Sequence, residues 1–456
     1  MAIRVEKDFM GQVEVPEAAW YGAQTARALE TFRISGAPFP HACIRAMARI
    51  KRHMAQVHAA LGLLPPETAD AVARAAREVE EGGLSDQFAV DVFQTGSGTS
   101  SHMNVNEVLA GRANEILTGK RGGKSPVHPN DHVNLGQSTN DVVPTALRVA
   151  LALAWETDLI PALLSLSQSL AEKAGECSGI LKLGRTHFQD AVPMRLSADF
   201  LAWSRQVEEG IAGLRQAEAV LWELPLGGTA VGNAVNAHPR AAGLALEALA
   251  RETGLPFAVA PDRLAVQSSG HAWASAHGAL RNAALVLMKI ASDLRFFSCG
   301  PRAGIGELAL PALLPGSSFM PGKINPVACE VALQAGAQVL GNDAAVAAAC
   351  QAGSLELFCM HPVCALNLLS STGLLARASQ MLDEKAVRGI SMDRERLSRA
   401  VEQSPALATL LAPKIGYDRA AALAGRAVAE GRAVRDLAVA EGLVTREEWE
   451  ELLGRL

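Results

Sequence analysis

Residues 145–176 read TALRVALALAWETDLIPALLSLSQSLAEKAGE. Apolar side chains recur at three- and four-residue spacing along the whole stretch, which predicts helix. Small and apolar residues occupy more than one face, so the helix is buried or packs against several neighbours. Pro161 predicts a kink or a boundary, because proline lacks the amide hydrogen of an uninterrupted helix. Stretches of the same character occupy residues 45–64, 198–224, 268–297, 329–351 and 365–390. A mainly α protein is expected, with a middle region of long antiparallel helices and apolar faces left for copies of the same chain. Strands are expected only as short pieces near the N-terminus. From about residue 391 the sequence becomes more charged and more broken, which predicts a small terminal domain of shorter helices.

Composition narrows the class. A chain of 456 residues suggests about two to four domains. Hydrophobic residues at 49% and charged residues at 20% allow a large core and argue against disorder. Aromatics at 4% beside abundant Ala, Leu and Val favour close-packed helices over sheets. A net charge of -5 suggests neither nucleic acid nor an anionic membrane as partner. The seven cysteines are odd in number and form no CxxC pair, which suggests a reducing compartment. The N-terminus MAIRVEKDFMGQ has charges and no apolar signal region. No apolar run approaches the roughly 18 residues of a membrane span. A soluble cytoplasmic protein is expected.

Between the helical stretches lie islands of Gly, Ser, Thr, Asn, Pro and His. They are QTGSGTSSHMNVNE (94–107), VHPNDHVNLGQSTND (127–141), GRTHFQDAVP (184–193), LGGTAVGNAVNAHP (226–239) and PGSSFMPGKINP (315–326). In the last, Asn325 and Pro326 predict a helix start, with Asn at the cap, Pro at the first helical position and helix from Val327 onward. The free amides of that helix beside Lys323 suit an anion. A serine in such surroundings can be stabilised as an alkoxide and act as nucleophile or base. An ordinary Pro/Gly loop capping a helix explains the same residues. A phosphate-binding P-loop does not: five residues separate Gly316 from Gly322, and Ile324 follows the lysine. His128 and His132 stand four apart, but Pro129 and the Asx residues place them in a loop, and no third metal ligand is near. Hydroxyl, amide, one lysine and the imidazole of His187 together suit a small polycarboxylate. No dinucleotide fingerprint, zinc spacing or nucleophile elbow appears, so neither metal nor cofactor is expected.

GSSFMPGKIN (316–325) resembles the GSSxMPxKxN signature of the fumarase/aspartase superfamily. TGSGTSSHMNVNEVLA, VHPNDHVNLGQSTNDVVPTA, GRTHFQDAVP, LGGTAVG and GPRAGIGEL resemble further blocks, in family order, and the likeness runs from EKDFMGQVEVP to KIGYDRAA. Within the superfamily the nearest resemblance is to class II fumarate hydratases, with aspartate ammonia-lyases next. It implies a three-domain subunit divided at 1–137, 138–390 and 391–456. It also implies a homotetramer built on a twenty-helix core, with active sites shared by three subunits and a small dicarboxylate substrate. Reversible hydration of fumarate to malate through an aci-carboxylate intermediate is the implied reaction. Ser317 matches the general base, and Lys323 and Asn325 the groups that bind the reacting carboxylate. Ser97, Thr99, Ser138, Thr139 and Asn140 match residues that hold the rest of the substrate. Thr186 and His187 match a Thr-His pair that places the water or leaving group, and Glu330 the acid that orients the histidine. His128, Asn130 and Asp131 match a second, peripheral anion site.

Four departures from the family pattern stand out. His102 stands where Asn is usual, MRLSADF (194–200) where an LGQE-type block is common, Asn233 and Ala234 where Thr-Gly is usual, and Phe358 where Asn is usual. QSTND and DAVPM lean toward aspartase. Aspartate, or a substituted C4 dicarboxylate such as mesaconate, is therefore the alternative substrate. A catalytically silent structural relative is the alternative of a different class, and retention of Ser317, His187, Lys323, Asn325 and Glu330 together argues against it.

Overall fold

The structure is a computed structural model that describes residues 2–455. It is mainly helical, at 63% helix. Two compact units form it: residues 1–160, 212–284 and 337–375 make the first, and residues 161–211, 285–336 and 376–456 the second.

In the first unit an antiparallel hairpin opens the chain, β1 (Ile3–Asp8) paired with β2 (Gly11–Pro16) in the register Ile3↔Pro16 to Asp8↔Gly11. The helices His41–Ala60 and Pro66–Glu80 pack on each other, and Thr99–Thr118 and Thr139–Ala154 pack against them. Alanines at 69, 71, 73, 75 and 76 are buried, and their small side chains let the helices approach closely. Glu107 ties this bundle to the preceding helix Ala23–Thr31. Its buried carboxylate accepts hydrogen bonds from the amides of Gly22, Gln24 and Thr25, each at 3.0 Å.

The long helices expected from the opening stretch and its companions are present as Ile160–Glu176, Leu196–Glu218, His271–Phe297, Val327–Ala349 and His361–Lys385. A single π-helical turn, Trp155–Leu159, lies just before Pro161. Widening the helix there accommodates the hydrogen bond that Pro161 cannot make. The expectation about membrane spans needs correction, because the helical run Thr139–Glu176 is long and apolar enough to cross one. Counting apolar runs missed it, since Glu156, Thr157 and Asp158 interrupt the stretch while the Leu, Val and Ala residues on either side keep its average high. Of its most apolar window 56% is buried inside the protein, as in a core helix.

In the second unit GRTHFQDAVP is a β-hairpin, where sequence reasoning expected no strand. β3 (Leu181–Thr186) pairs antiparallel with β4 (Gln189–Arg195). Leu183 of β3 enters a core formed with Val401, Leu407, Leu411, Leu423, Leu437 and Trp449 of the C-terminal segment. That segment does consist of short helices, among them Arg394–Gln403, Tyr417–Glu430, Val434–Ala440 and Arg446–Gly454.

Candidate active site

The first unit carries Ser97, Thr99, His128, Asn130, Asp131, Ser138, Thr139 and Asn140. Ser138 caps the helix Thr139–Ala154 in a capping box with Asp141: the Ser138 amide donates to Asp141 Oδ1 at 3.0 Å, and Ser138 Oγ accepts from the Asn140 amide at 3.2 Å. Asp141 reaches further. Its Oδ2 accepts from the amides of Gly227 and Thr229 at 3.0 and 2.9 Å, so LGGTAVG is fastened to QSTND. Asn140 Nδ2 donates to the Ala230 carbonyl at 2.9 Å. Thr139 Oγ1 lies 2.8 Å from Nδ1 of His102. Ser97 and Thr99 share a hydrogen bond between their hydroxyls at 2.8 Å, at the start of the helix Thr99–Thr118. There Gly98 takes φ +84, the left-handed conformation that glycine adopts without strain.

Charged groups lie buried around these residues. Lys51 is wholly buried and donates from Nζ to Asn134 Oδ1 at 2.7 Å. Burial pushes its ammonium down to about 7, against the opposing charge of Asp141. Burial pushes the Asp141 carboxyl up to about 6, although its three amide bonds and Lys51 favour the charged form. The imidazole of His102 is held well below its ordinary value by burial and then by the Lys51 charge, so it is neutral. Sequence reasoning assigned no role to Lys51 or Asp141. The S-x-x-D spacing of the capping box was the one signal that could have marked Asp141.

His128, Asn130 and Asp131 come together in one turn. Pro129–Val133 is a short π-helical turn rather than a loop, and His128 caps it: Nδ1 accepts from the amides of Asn130 and Asp131 at 3.1 and 3.2 Å. His132 is turned back onto the same turn. Its Nδ1 accepts from the His128 amide at 2.9 Å.

The second unit carries Thr186, His187, Ser317, Lys323, Asn325 and Glu330. Gly316 N–H donates to the Lys323 carbonyl at 2.8 Å, and Asn325 Nδ2 donates to the Gly316 carbonyl at 2.9 Å. These two bonds close the loop. A Cβ on Gly316 would stand 2.7 Å from the Lys323 carbonyl and 2.8 Å from Asn325, so only glycine fits. Helix does begin at Val327, but its cap differs from expectation: Asn325 Nδ2 turns one of its two N–H groups to the Gly316 carbonyl instead of capping, and Pro326 supplies the first helical carbonyl, to Glu330 N–H at 3.1 Å. Ser317 Oγ accepts from the amides of Phe319 and Met320 at 3.1 and 2.9 Å. It lines a cleft of about 370 Å³ together with Lys323.

His187 sits at the tip of the β3–β4 hairpin. It and Phe188 take φ +54 and +59, the pair of left-handed residues of a type I′ turn. Arg185 at the hairpin's end pairs with the buried carboxylate of Glu307 in GPRAGIGEL, with one bond of 2.9 Å. Among the described residues no hydrogen bond or ion pair joins His187 to Glu330 within the chain.

The departures sort by position. His102 touches Thr139. Asn233 and Ala234 lie in the turn just after Ala230, where Ala234 takes φ +59 and its amide donates to the Gly228 carbonyl at 3.1 Å. Phe358 is buried in an aromatic cluster, 5.0 Å from His361, which in turn packs on Trp273.

The sequence matches the family described as Lyase over residues 11–341 and the family described as Fumarase C C-terminus over residues 407–454. The chain belongs to that lyase family, within the fumarase/aspartase superfamily. More particularly, it is 46% identical over 452 residues to a class II fumarate hydratase of Bradyrhizobium diazoefficiens, covering 99% of this chain and 96% of the relative. It is 44% identical to the class II fumarate hydratase of Thermus thermophilus, covering 99% and 97%. Among solved structures, a class II fumarase from Schistosoma mansoni superposes with a TM-score of 0.94 at 35% identity, over 99% of this chain and 98% of that one. A fumarate lyase:delta crystallin from Brucella melitensis gives 0.94 at 41% identity, over the same shares. The protein is an enzyme, a lyase.

Proposed function

We propose that this enzyme adds water to fumarate to give malate, reversibly, with Ser317 as the general base. The observation that carries the reading is the pair of backbone N–H groups on Ser317 Oγ, in the same cleft as Lys323. Donors aimed at an oxygen favour its anionic form, so they make an alkoxide accessible. In the dehydration direction that alkoxide takes the proton from the carbon beside one carboxylate. The electron pair moves into that carboxylate, giving the aci-carboxylate, which Lys323 and Asn325 hold. The hydroxyl on the neighbouring carbon then leaves as water, taking a proton that reaches it from solvent on the His187 side. Thr186 and His187 place that water, with Glu330 orienting the histidine. Ser97, Thr99, Ser138, Thr139 and Asn140 hold the remaining groups. His128, Asn130 and Asp131 offer a second anion site.

We also propose that the active enzyme is a cytoplasmic homotetramer of three-domain subunits around a twenty-helix core, acting in the tricarboxylic acid cycle, with each site drawing on three subunits. Exposed apolar side chains beside the candidate residues support this. Phe319 is 89% exposed and Phe188 75%, which suits surfaces that other subunits cover. Light scattering that found a stable, active monomer would overturn it. For the reaction, kcat/KM is measured for fumarate, mesaconate and aspartate on one preparation, because discrimination is a ratio of those values. Fumarate is expected to lead. A tenfold preference, about 1.4 kcal/mol, for either of the others refutes the assignment.

A further inference from the structure

His102 is the departure from the family pattern that touches a candidate substrate-binding residue, and its geometry is specific. It lies in the first turn of the helix Thr99–Thr118, its amide donating to the Gly98 carbonyl at 3.0 Å. Its side chain is 1% exposed. Nδ1 lies 2.8 Å from Thr139 Oγ1, and Nε2 is fully buried with no hydrogen-bond partner among the described residues.

A neutral imidazole carries one proton, so the contact with Thr139 has two forms. With the proton on Nε2, Nδ1 accepts and the Thr139 hydroxyl spends its hydrogen inward. Thr139 then presents only lone pairs outward, which repel a carboxylate. An N–H is also sealed away without an acceptor. With the proton on Nδ1, the ring donates to Thr139 Oγ1, and the Thr139 hydrogen is free to point outward. What remains buried is an unused lone pair, a lesser defect than an orphaned N–H. The surroundings hold the ring neutral in either form, because full burial disfavours its charged form and the neighbouring Lys51 adds to that.

We propose that His102 is a positioning residue: by donating its Nδ1 proton to Thr139 it turns the Thr139 hydroxyl into a donor for a substrate carboxylate. This rests on the placement of Thr139 at the substrate given above. Asparagine, usual in the family at this position, can make the same kind of donation from its amide.

The test is a double-mutant cycle on the whole enzyme. His102→Leu keeps the volume and removes the donor. It is expected to raise KM for fumarate and the Kd of succinate, a dicarboxylate that cannot react, by about tenfold, with kcat within about threefold, the signature of lost uniform binding. His102→Asn restores both constants to within about threefold. In a Thr139→Val background, His102→Leu changes the Kd of succinate less than twofold, because the group it acts through is gone. An unchanged Kd in His102→Leu, or a full effect persisting in the Thr139→Val background, overturns the proposal. Succinate binding needs no turnover, so this outcome is separate from whether fumarate is hydrated. Should His102→Leu fail to fold, neutron diffraction from crystals grown of the wild-type enzyme decides: a proton on Nδ1 is expected, and a proton on Nε2 overturns the proposal.

Discussion

Two polar regions carry the candidate chemistry, and they are built on opposite plans. At the start of the helix Thr139–Ala154 the side chains of Thr139, Asn140 and Asp141 are each tied to a distant part of the first unit. Asp141 bonds amides 86 and 88 residues away, Asn140 a carbonyl 90 residues away, and Thr139 a ring 37 residues away. Among the described residues the loop before the helix Val327–Ala349 hydrogen-bonds only within itself, through Gly316, Ser317, Lys323 and Asn325. The first plan fixes donors by burial, which suits a site that must hold a substrate in register. The second gives Ser317, the proposed base, its two N–H donors from its own turn, so that arrangement does not depend on distant packing.

If the comparison is right, substitutions in the loop cost turnover and those beneath the helix cost stability. The largest expected effect is Ser317→Ala, which should lower kcat by about 10²-fold or more, the usual size of a general-base contribution, and leave the melting temperature unchanged. Absorbance at 240 nm follows turnover, and retention of a tenth of the wild-type rate would break the assignment. Asp141→Ala strands three backbone amides in the interior and should destabilise the fold by about 3 kcal/mol or more in urea denaturation. A loss below about 1 kcal/mol would show that the two regions are not built so differently. Lys323→Ala removes a charge-assisted bond worth about 1.5–3 kcal/mol and should weaken succinate binding accordingly without changing stability, by calorimetry.

The smallest effect sharpens the electrostatics of the buried region. Burial holds Lys51 down to about 7, below its ordinary 10.5. Between those values the unfolded chain carries the additional proton, so stability rises with pH. The stability of the wild type relative to Lys51→Met should therefore increase from pH 7.5 to 9.5, by at most about 1.4 kcal/mol per pH unit. A flat difference would mean that Lys51 keeps its proton throughout that range.

Much of this was legible in the sequence because the signals were local. The spacing of apolar residues marked the long helices, and PGSSFMPGKINP identified the loop and its lysine. The cap at Asn325 was misread because its amide is drawn nine residues back to Gly316, a contact that no pattern of neighbours reveals. The β3–β4 hairpin was missed because His187 and Phe188 occupy left-handed turn positions that usually hold Asn or Gly.

By itself the sequence determined the helical class, the family and the identity of the candidate residues, since each rests on residue type and spacing along the chain. Only the tertiary structure decided which groups are buried and what they meet. Lys51 looked like any basic residue on an amphipathic helix, Asp141 like one polar residue among several, and His102 like a plain departure from pattern. Folding placed all three out of water. There a charge must find a counter-charge or lose its proton, and a ring nitrogen must commit to donating or accepting.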